Sequence, residues 1–365
     1  MKGDYIMKKI LCVFLSLLFI MPLGVSAHAE STEEGELKFV AYNVSGIPLV
    51  GDFQGSGFTT TKQRATLIGQ YLNSLEVDFI GTEEDFNAHK YLAAEMENYP
   101  YRSYTSGGLA QGQGLNIFSG HRIYNLDRVI WNTEYGTISG SMDAISNKGF
   151  IYCLMELKEG VYIDVITVHM DAGFDRLSVE ARADNFKQLA AYINENLDSG
   201  RALVVLGDFN YKFLRRLNDD IYNNLLLPTG LKDVWAEVYN GGSYDANADD
   251  FNYDLSGDSL DRALFRSGSY MTLTPVSKEL LTFETESGKT VTDHDPMLIE
   301  FNYTLTGSEP VPEILAEPEA EDELILTLKE FVWMFVRLFQ VILGLTELPY
   351  LIGQGIDILL HGNMP

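Results

Sequence analysis

Cysteine is almost absent from this chain, which has two among 365 residues. Cys12 falls in an N-terminal stretch that we expect to be removed, so the remaining chain keeps Cys153 alone. An internal disulfide is therefore excluded, and stability must come from a large core or from bound metal. Cys153 lies in an apolar run, Phe150–Leu157, and we expect it to fill core space.

Basic residues are also scarce, because 26 Lys and Arg stand against 52 Asp and Glu and give a formal net charge of −26. Such a chain repels the phosphate backbone of nucleic acids at long range. We find no basic cluster longer than Arg215-Arg216. Nucleic acid is therefore a disfavoured partner, although a local basic groove would still permit a nuclease.

An apolar run stands near the start of the chain, from Ile10 to about Val25. Two lysines precede it, and the small-x-small pattern Ala27-His28-Ala29 follows it. This arrangement predicts a secretory signal peptide over residues 1–29, and the run is short for a membrane anchor. We therefore expect an exported protein that is extracellular or held at the cell surface.

Residues 37–304 alternate short apolar segments with helical patterns, and no internal repeat is evident. Runs such as Ala202–Leu206 indicate strands covered on both faces. The clearest helical pattern runs from Ser178 to Leu197. This alternation predicts one layered α/β domain. The predicted strands are Leu37–Val44, Val77–Gly81, Gly114–Ser119, Gly149–Leu157, Val161–Val168, Ala202–Leu206, Leu260–Phe265 and Met297–Tyr303.

Acidic, histidine and amide side chains collect where these strands begin or end. A single polar residue at such a place usually caps a helix or forms a turn. Six such positions in one chain instead favour a site, because ligands of open α/β sheets bind at strand ends. The positions are Asn43, Glu83-Glu84-Asp85, His169 with Asp171, Asp208 with Asn210, Asp261, and Asp293-His294.

These residue types suit the hydrolysis of a phosphate ester, which requires a hard cation to neutralise developing charge. Mg²⁺ prefers oxygen ligands, and Glu84 and Asn43 can supply them.

The same set of residues can move the protons of the reaction. A histidine oriented by a carboxylate can take the proton of the attacking water, which is the role we predict for His294 with Asp261. His169 can protonate the leaving oxygen or stabilise the phosphoryl charge. Asp208 and Asn210 can position the water and the phosphate.

Seven segments resemble, in order, the motifs of the endonuclease/exonuclease/phosphatase superfamily, which includes deoxyribonuclease I-like nucleases, neutral sphingomyelinases and inositol polyphosphate 5-phosphatases. The most specific is LVVLGDFN, which resembles Gly-Asp-x-Asn. VDFIGTEEDF resembles Asp-x-x-x-Leu-Gln-Glu, with Glu83 in place of Gln and Glu84 at the metal-binding Glu. TDHDPM resembles Ser-Asp-His-x-Pro, with Thr292 in place of Ser. The other four are FVAYNVSGIP, GLNIFSG, VHMDAG and SLDRALF.

The resemblance covers residues 37 to about 303. It implies a four-layer α/β sandwich with two packed central sheets, dependence on Mg²⁺ or Mn²⁺, and single-step attack by water. The roles that it implies are metal binding by Asn43 and Glu84, a place near the metal for Asp293, positioning of water and phosphate by Asp208 and Asn210, a base or phosphate ligand in His294 with its partner Asp261, and a second catalytic histidine in His169.

A few polar residues receive no role or an open one. Asp171 either belongs to the site or caps the turn before Gly173. We interpret His89 and His121 as surface or loop histidines. A loop rich in Gly, Asn and Asp over residues 240–258 resembles the start of a calcium loop. It lacks the required Gly and Glu at the sixth and twelfth positions, which disfavours calcium binding.

Three substrate classes remain. Export and the apolar C-terminal segment favour a phospholipid, as in neutral sphingomyelinases, whereas the acidic balance disfavours the nucleic acid of a secreted nuclease. Asn210-Tyr211-Lys212 and Asp261-Arg262 resemble the inositol phosphatase branch, but its Pro-x-Trp-Cys-Asp-Arg pattern is absent. A catalytically silent module on a membrane-docking tail is a further interpretation, which the complete set of motifs disfavours.

The chain closes with an acidic, proline-rich stretch over 305–323 and an apolar segment over 324–360. The first predicts a linker that lets the domain move over a bilayer. A helix over 324–348 would carry a wide apolar face that must pack on something. Arg337 falls in its middle and disfavours a spanning helix. We predict a helix lying on a membrane surface, with spanning or packing on protein as alternatives.

Overall fold

The structure is a computed structural model, and it describes most of the chain between residues 32 and 339. The predicted signal peptide, the calcium-like loop from residue 245 and most of the apolar C-terminal segment lie outside the described residues. The described residues are 32–46, 60–108, 112–135, 146–213, 220–244, 258–285, 288, 290–306, 311–320, 324–326, 328–329, 331–332, 335–336 and 339.

Twelve strands of the described residues form two six-stranded sheets. In chain order the strands are β1 Glu33–Asn43, β2 Phe79–Glu83, β3 Tyr101–Arg102, β4 Asn116–Ser119, β5 Arg122–Ile130, β6 Gly149–Lys158, β7 Val161–His169, β8 Leu203–Asp208, β9 Lys232–Asp233, β10 Asp261–Arg266, β11 Met271–Leu280 and β12 Met297–Leu305. Sheet A has the order β11-β12-β1-β2-β4-β3, and sheet B has the order β5-β6-β7-β8-β10-β9.

The helices begin at side chains that cap their first backbone N–H groups. Thr60, Asp175 and Asp233 each accept such a bond, at the start of the helices α1, α3 and α5. The helices are α1 Thr61–Ser74, α2 His89–Ala93, α3 Arg176–Asn196, α4 Leu227–Thr229 and α5 Val234–Tyr239, with a 3₁₀ turn at Phe86–Ala88 and a π turn at Tyr222–Leu226.

Strand β8 shows why the central strands are apolar on both faces. Leu203 and Val205 belong to the core cluster that contains Phe186 of α3. Val204 and Leu206 belong to the cluster that contains residues of sheet A. A third cluster packs α1 on the outer face of sheet A. Helix, sheet, sheet and helix therefore form four layers, which confirms the predicted α/β sandwich.

Every predicted strand is present, with ends that differ by a few residues, and the predicted helix corresponds to α3. Cys153 is fully buried in the core, as expected. The longest elements that were not predicted are strands β5 and β11 and helix α1, and the two-residue strands β3 and β9 and the short helices were also missed. Strands β5 and β11 are sheet edges with mixed burial, and each carries a register shift that interrupts the period-two pattern.

Within the predicted linker, Ile314 and Ala316 are hydrogen-bonded to the domain, and the movement of the domain over a bilayer stays a prediction. Asn125, on edge strand β5, donates from its backbone N to Ala316 O at 2.7 Å and from Nδ2 to Ile314 O at 2.9 Å. Its Oδ1 accepts from Ala316 N at 2.9 Å. Asn125 has a φ of 53°, a left-handed conformation that Asn tolerates better than most residues.

The apolar C-terminal segment is described only in part. Its described residues between 324 and 339 are helical. None of the helices in the described part of the chain is long and apolar enough to cross a bilayer. Large apolar side chains recur on it at three- and four-residue steps and are 48–77% exposed: Leu324, Leu328, Phe331, Phe335 and Phe339.

Candidate active site

The predicted polar positions meet at one end of the two sheets because of the strand register. In sheet A, the parallel strands β1 and β2 pair Asn43 with Glu83. In sheet B, the parallel strands β7 and β8 pair His169 with Asp208, and the antiparallel strand β10 pairs Asp261 with the same Asp208. The carboxyl ends of four strands and the start of a fifth therefore converge, as ligand sites of α/β sheets do.

Two predicted site residues lie on strained turns directly after a strand. Glu84 and Asn210 have φ values of 55° and 49°, in the left-handed region that costs a non-glycine residue roughly 1–2 kcal/mol. Gly46 N donates to Glu84 O at 2.7 Å, and a Cβ on Gly46 would lie 2.2 Å from that oxygen, so the approach requires glycine. Asp208 Oδ1 accepts from Asn210 N at 2.9 Å. Strain of this kind clusters at functional sites.

Asn43 and His169 both lie between the carboxylates of Glu84 and Asp208. Asn43 Nδ2 donates to Glu84 Oε1 and to Asp208 Oδ2, each at 3.2 Å. His169 Nε2 lies 3.8 Å from Glu84 Oε1 and 3.5 Å from Asp208 Oδ2. The residues predicted to bind metal and those predicted to hold the phosphate are therefore neighbours.

His294 lies beside Asp261, the carboxylate predicted to orient it. His294 Nδ1 is 3.0 Å from Asp261 Oδ2, and His294 Nε2 is 3.8 Å from Asp208 Oδ2. Thr292 Oγ1 accepts from His294 N at 3.1 Å, which is the bond that the usual Ser could also make. The geometry of the pair is as expected, and its role in proton transfer stays a prediction.

The two histidines carry different charges at neutral pH. Burial opposes the charge of His294, but the carboxylates of Asp261 and Asp208 outweigh it and raise the pKa of His294 to about 11. Burial lowers the pKa of His169 well below its ordinary value, and the charges of Lys148 and His294 lower it further. His294 therefore holds a proton at neutral pH, while His169 is neutral.

Carboxylates outnumber bases in this catalytic cluster, which we define as Asn43, Glu83, Glu84, Lys148, His169, Asp208, Asp261, Asp293 and His294. Burial raises the pKa of Asp208 and of Glu84. Asp208, Asp261 and His294 each offer a ligand atom, and these atoms lie within 4.8 Å of one another. A buried excess of oxygen donors fits a divalent cation. This group differs from the predicted metal set, which did not include these three residues.

Of the predicted metal ligands, Asn43 is the most buried, at 2% exposed, while the side chain of Glu84 is 19% exposed. Asn43 donates its amide N–H groups to the carboxylates, and its Oδ1 accepts from Ser45 N at 3.0 Å. Metal binding by Asn43 would require the amide to turn over, since only its oxygen can be a ligand. Asp293 is exposed and accepts a hydrogen bond from Ser45 Oγ at the mouth of the cluster.

Lys148 is a charged neighbour that the sequence reasoning missed. It is 5% exposed, directly before β6, and its Nζ donates to Met170 O at 3.2 Å. Its charge lowers the pKa of Glu84, Asp208 and His169. The available signal was the position of Lys148 directly before an apolar strand that is buried. A lysine is rarely buried without a partner, so its place there indicates an interaction with other charged groups.

The surroundings of Glu83 explain why this chain has Glu where the family motif usually has Gln. The side chain is fully buried, and its Oε1 accepts from Thr167 Oγ1 at 3.3 Å. Burial raises the pKa of Glu83 well above its ordinary value, and the carboxylates of Asp261 and Asp208 raise it further. A raised pKa favours the neutral form of Glu83, which has the shape of the Gln that it replaces.

Three residues that were given no role, or an open one, can now be placed. Asp171 is fully buried and accepts from Tyr135 N at 2.6 Å, so it holds a neighbouring loop. The interpretation of His89 as a surface residue is wrong, because it is 8% exposed with Nδ1 2.7 Å from Asp85 Oδ2. His121 Nε2 lies 2.8 Å from Asp78, at the opposite end of β2 from the cluster.

Comparison with known protein families and sequences identifies relatives of this chain. A family model described as "Endonuclease/Exonuclease/phosphatase family 2" matches residues 79–228. A protein named Sphingomyelinase from Mycobacterium tuberculosis is 30% identical over 285 residues, which cover 74% of this chain and 54% of that protein. One from Mycobacterium bovis gives the same values. The chain thus spans about half the length of the curated relatives that it matches.

Solved structures share the fold at lower identity. SmcL has a TM-score of 0.50 and 19% identity, covering 73% of this chain and 99% of its own. TDP2 from D. rerio, complexed with a single-strand DNA product, has a TM-score of 0.53 and 16% identity, covering 73% and 99%. A protein from Bacteroides thetaiotaomicron, titled as an endonuclease/exonuclease/phosphatase family protein, has 0.52 and 16%, covering 77% and 100%. At these identities the likeness establishes the fold alone.

Proposed function

Since the chain belongs to the endonuclease/exonuclease/phosphatase superfamily, we propose that it hydrolyses a phosphate ester by attack of water, with a choline-type phospholipid such as sphingomyelin as its substrate. The observation that carries the proposal is the buried cluster in which two histidines face an excess of carboxylates. We further propose that the protein is exported and works at a membrane surface.

Mg²⁺ is the cation that best suits the donors of the cluster, and Glu84, Asp208 and the amide oxygen of Asn43 would hold it. Bound there, Mg²⁺ would neutralise the negative charge of the phosphate and stabilise its transition state. Asp293, at the mouth of the cluster, would add a further carboxylate near the ion. Mn²⁺, with the same oxygen preference, would substitute.

The chain's own residues divide the remaining work. Asp261 orients His294, which exchanges a proton with the water or the phosphate at Nε2. His169 is neutral and buried beside Asp208, so it can donate or accept a hydrogen bond at Nε2 without adding charge. Asn210 offers an amide at the strained turn next to Asp208, where it can position the phosphate.

Four observations support a lipid over a nucleic acid. The relatives named Sphingomyelinase are 30% identical over 285 residues, which cover 74% of this chain. The net charge of −26 opposes binding of a polyanion. The predicted signal peptide favours export. The exposed apolar side chains between Leu324 and Phe339 suit insertion into a bilayer surface.

Parallel assays of three substrates test the proposal. Sphingomyelin vesicles, linear DNA and an inositol polyphosphate should be offered with Mg²⁺ and with chelator, using His294→Ala as the inactive control. We expect Mg²⁺-dependent release of phosphocholine that exceeds any DNA cleavage. Rapid DNA cleavage without lipid turnover would identify DNA rather than lipid as the substrate. Full activity in excess chelator would contradict the proposed dependence on Mg²⁺.

The membrane proposal has its own test. The mature chain with and without residues 324–365 should be sedimented with phosphatidylcholine vesicles at low and high salt. We expect binding of the full chain at both salt concentrations, because the described face is apolar, and weaker binding of the shortened chain. Equal binding of the two forms would rule out the C-terminal segment as the main membrane contact.

A further inference from the structure

Phe174 is an exposed aromatic side chain on the loop that begins at the catalytic cluster. It is 60% exposed, and no other aromatic residue in the described part of the chain is more exposed. It follows His169 by five residues, on the loop that leaves the carboxyl end of β7. Met170, at the start of that loop, receives hydrogen bonds on its oxygen from Asn210 and Lys148 of the cluster.

The loop holds Phe174 in a fixed position because buried polar side chains support it from below. Arg182 is fully buried, and its Nη1 donates to Asp171 O at 2.9 Å and to Gly173 O at 3.1 Å. Asn185, also fully buried, accepts from Asp171 N at 3.0 Å. Gly173 has a φ of 93°, and a Cβ there would lie 2.8 Å from Ser178 Oγ. Because the loop is already ordered, little conformational entropy is lost when Phe174 makes an apolar contact.

We infer that Phe174 is a contact point at which the catalytic domain itself inserts into the surface of a lipid bilayer. The inference rests on the proposed function, because an enzyme that cleaves a lipid within a bilayer must bring the mouth of its site against that surface. Side chains at the mouth then meet the lipid head groups, where an aromatic ring is favoured.

The charges beside Phe174 suit a neutral, choline-type lipid surface. Asp175 binds the first N–H groups of α3. Arg176 pairs with Glu180 at 2.6 Å, so their charges compensate each other. This part of α3 therefore carries no excess of positive charge that would favour an anionic surface. The contact that we infer for Phe174 is apolar.

Leu227 provides a matched control at the far end of α3. It is 61% exposed, the same as Phe174 within one per cent. Asn194, near the last turn of α3, donates to the O of the next residue, Pro228, at 3.3 Å. Asn194 lies eighteen residues after Arg176 in α3. At a helical rise of 1.5 Å per residue, the two residues are about 27 Å apart.

The first test reports contact without requiring turnover. Phe174→Trp and Leu227→Trp, each in the full chain, should be mixed with phosphatidylcholine vesicles whose acyl chains carry bromine, which quenches nearby indole fluorescence. We expect quenching beyond that of the wild type for Phe174→Trp and none for Leu227→Trp. Equal additional quenching of both variants, or none for Phe174→Trp, would overturn the inference even if the protein cleaves lipid.

The second test separates membrane contact from an effect on the chemistry. Phe174→Ala should raise the apparent KM on sphingomyelin vesicles by about ten-fold, the order expected from losing one inserted aromatic ring. It should leave hydrolysis of the water-soluble p-nitrophenyl phosphorylcholine unchanged, and Leu227→Ala should change neither. An equal loss on both substrates would show that Phe174 supports the site instead. If the wild type cleaves neither substrate, the proposed function fails, while the quenching result still decides the contact.

Discussion

Two clusters of buried charge lie side by side at β10, and they differ in how that charge is compensated. Asp261 belongs to the catalytic cluster. Its neighbour Arg262 belongs to a second group, the arginine cluster, which consists of Arg262, Asp233, Asp258 and Lys278. Successive residues of a strand point to opposite faces, which separates the two clusters.

The arginine cluster is balanced within itself. Arg262 is fully buried, with Nε 2.7 Å from Asp233 Oδ2 and Nη1 2.6 Å from Asp258 Oδ1. Its guanidinium also lies 4.3 Å from the centre of the Phe213 ring. Burial opposes the charge of Arg262, but the two aspartates outweigh it and raise the pKa further above its ordinary value. Two bases therefore face two acids.

The catalytic cluster has no such balance, and its excess of carboxylates is what a cation or a substrate would compensate. Buried charge is costly unless it is paired, so an unbalanced cluster marks a place where the fold maintains charge for function. A balanced cluster mainly stabilises the packing of the chain segments that it joins. Substitutions in the catalytic cluster should therefore alter activity, and substitutions in the arginine cluster should alter stability.

The largest expected effect is on turnover, in His294→Ala. The variant lacks the histidine that we propose exchanges the proton, so we expect phosphoesterase activity to fall by about 10²–10⁴-fold. Circular dichroism should show a folded protein. His121→Ala, which removes a half-buried histidine at the opposite end of sheet A, should keep activity near that of the wild type. Near-normal turnover of folded His294→Ala would show that the active site is elsewhere.

Glu84→Gln should weaken metal binding while it relieves carboxylate repulsion. We expect activity to fall by about 10–100-fold at a fixed, limiting Mg²⁺ concentration and to recover in part as Mg²⁺ is raised. In chelator, the melting temperature should rise, because the buried cluster loses one carboxylate. Glu36→Gln, on the exposed part of β1, is the control and should change neither quantity. An unchanged Mg²⁺ requirement would remove Glu84 from the metal site.

Arg262→Met should act on stability. Removing the guanidinium leaves the buried carboxylates of Asp233 and Asp258 with Lys278 as the remaining base of the arginine cluster, which costs about 3–5 kcal/mol of unfolding free energy. Denaturant unfolding measures this loss, and activity per folded molecule should change little. Arg176→Met breaks an exposed pair with Glu180 and should cost less than about 1 kcal/mol. Similar losses in the two variants would contradict the structural importance of the arginine cluster.

Lys278→Met should change how stability depends on pH. Burial lowers the pKa of Lys278 from 10.5 to about 7, and the charge of Arg262 lowers it further. Between these values the unfolded chain binds the extra proton, so the wild type gains stability as pH rises from 7 to 10.5, with a slope of up to about 1.4 kcal/mol per pH unit. The variant should lack this contribution. Parallel stability–pH curves for the two proteins would contradict the shift.

The smallest effect is expected in the linker. Asn125→Gly keeps a residue that tolerates the left-handed conformation but removes the side-chain bonds to Ile314 and Ala316. Amide hydrogen exchange over residues 311–320 should become faster, with global stability changed by about 1 kcal/mol or less. Asn132→Gly, on another described loop, is the control. Unchanged exchange in Asn125→Gly would show that the backbone bond alone holds the linker.

Much of the fold and of the cluster could be predicted because it depends on local pattern. The run Ala202–Leu206 is apolar at every position, which requires cover on both faces, and the structure provides it with α3 and sheet A. Glu84, His169 and Asp208 each directly follow or end such a run, so their convergence follows from parallel pairing of the strands. Edge strands β5 and β11 carry a weaker pattern and were missed.

The sequence by itself therefore determined the layered fold and the chemistry-bearing positions, because apolar periodicity and strand-end residues are local properties. Only the tertiary structure decided which charges are compensated. Asp261 and Arg262 are adjacent in sequence, yet one faces an excess of carboxylates and the other faces two aspartates from distant segments. The raised pKa of Glu83 and the burial of Lys148 likewise depend on neighbours that long-range packing brings together, since pKa and desolvation are set by surroundings rather than by residue type.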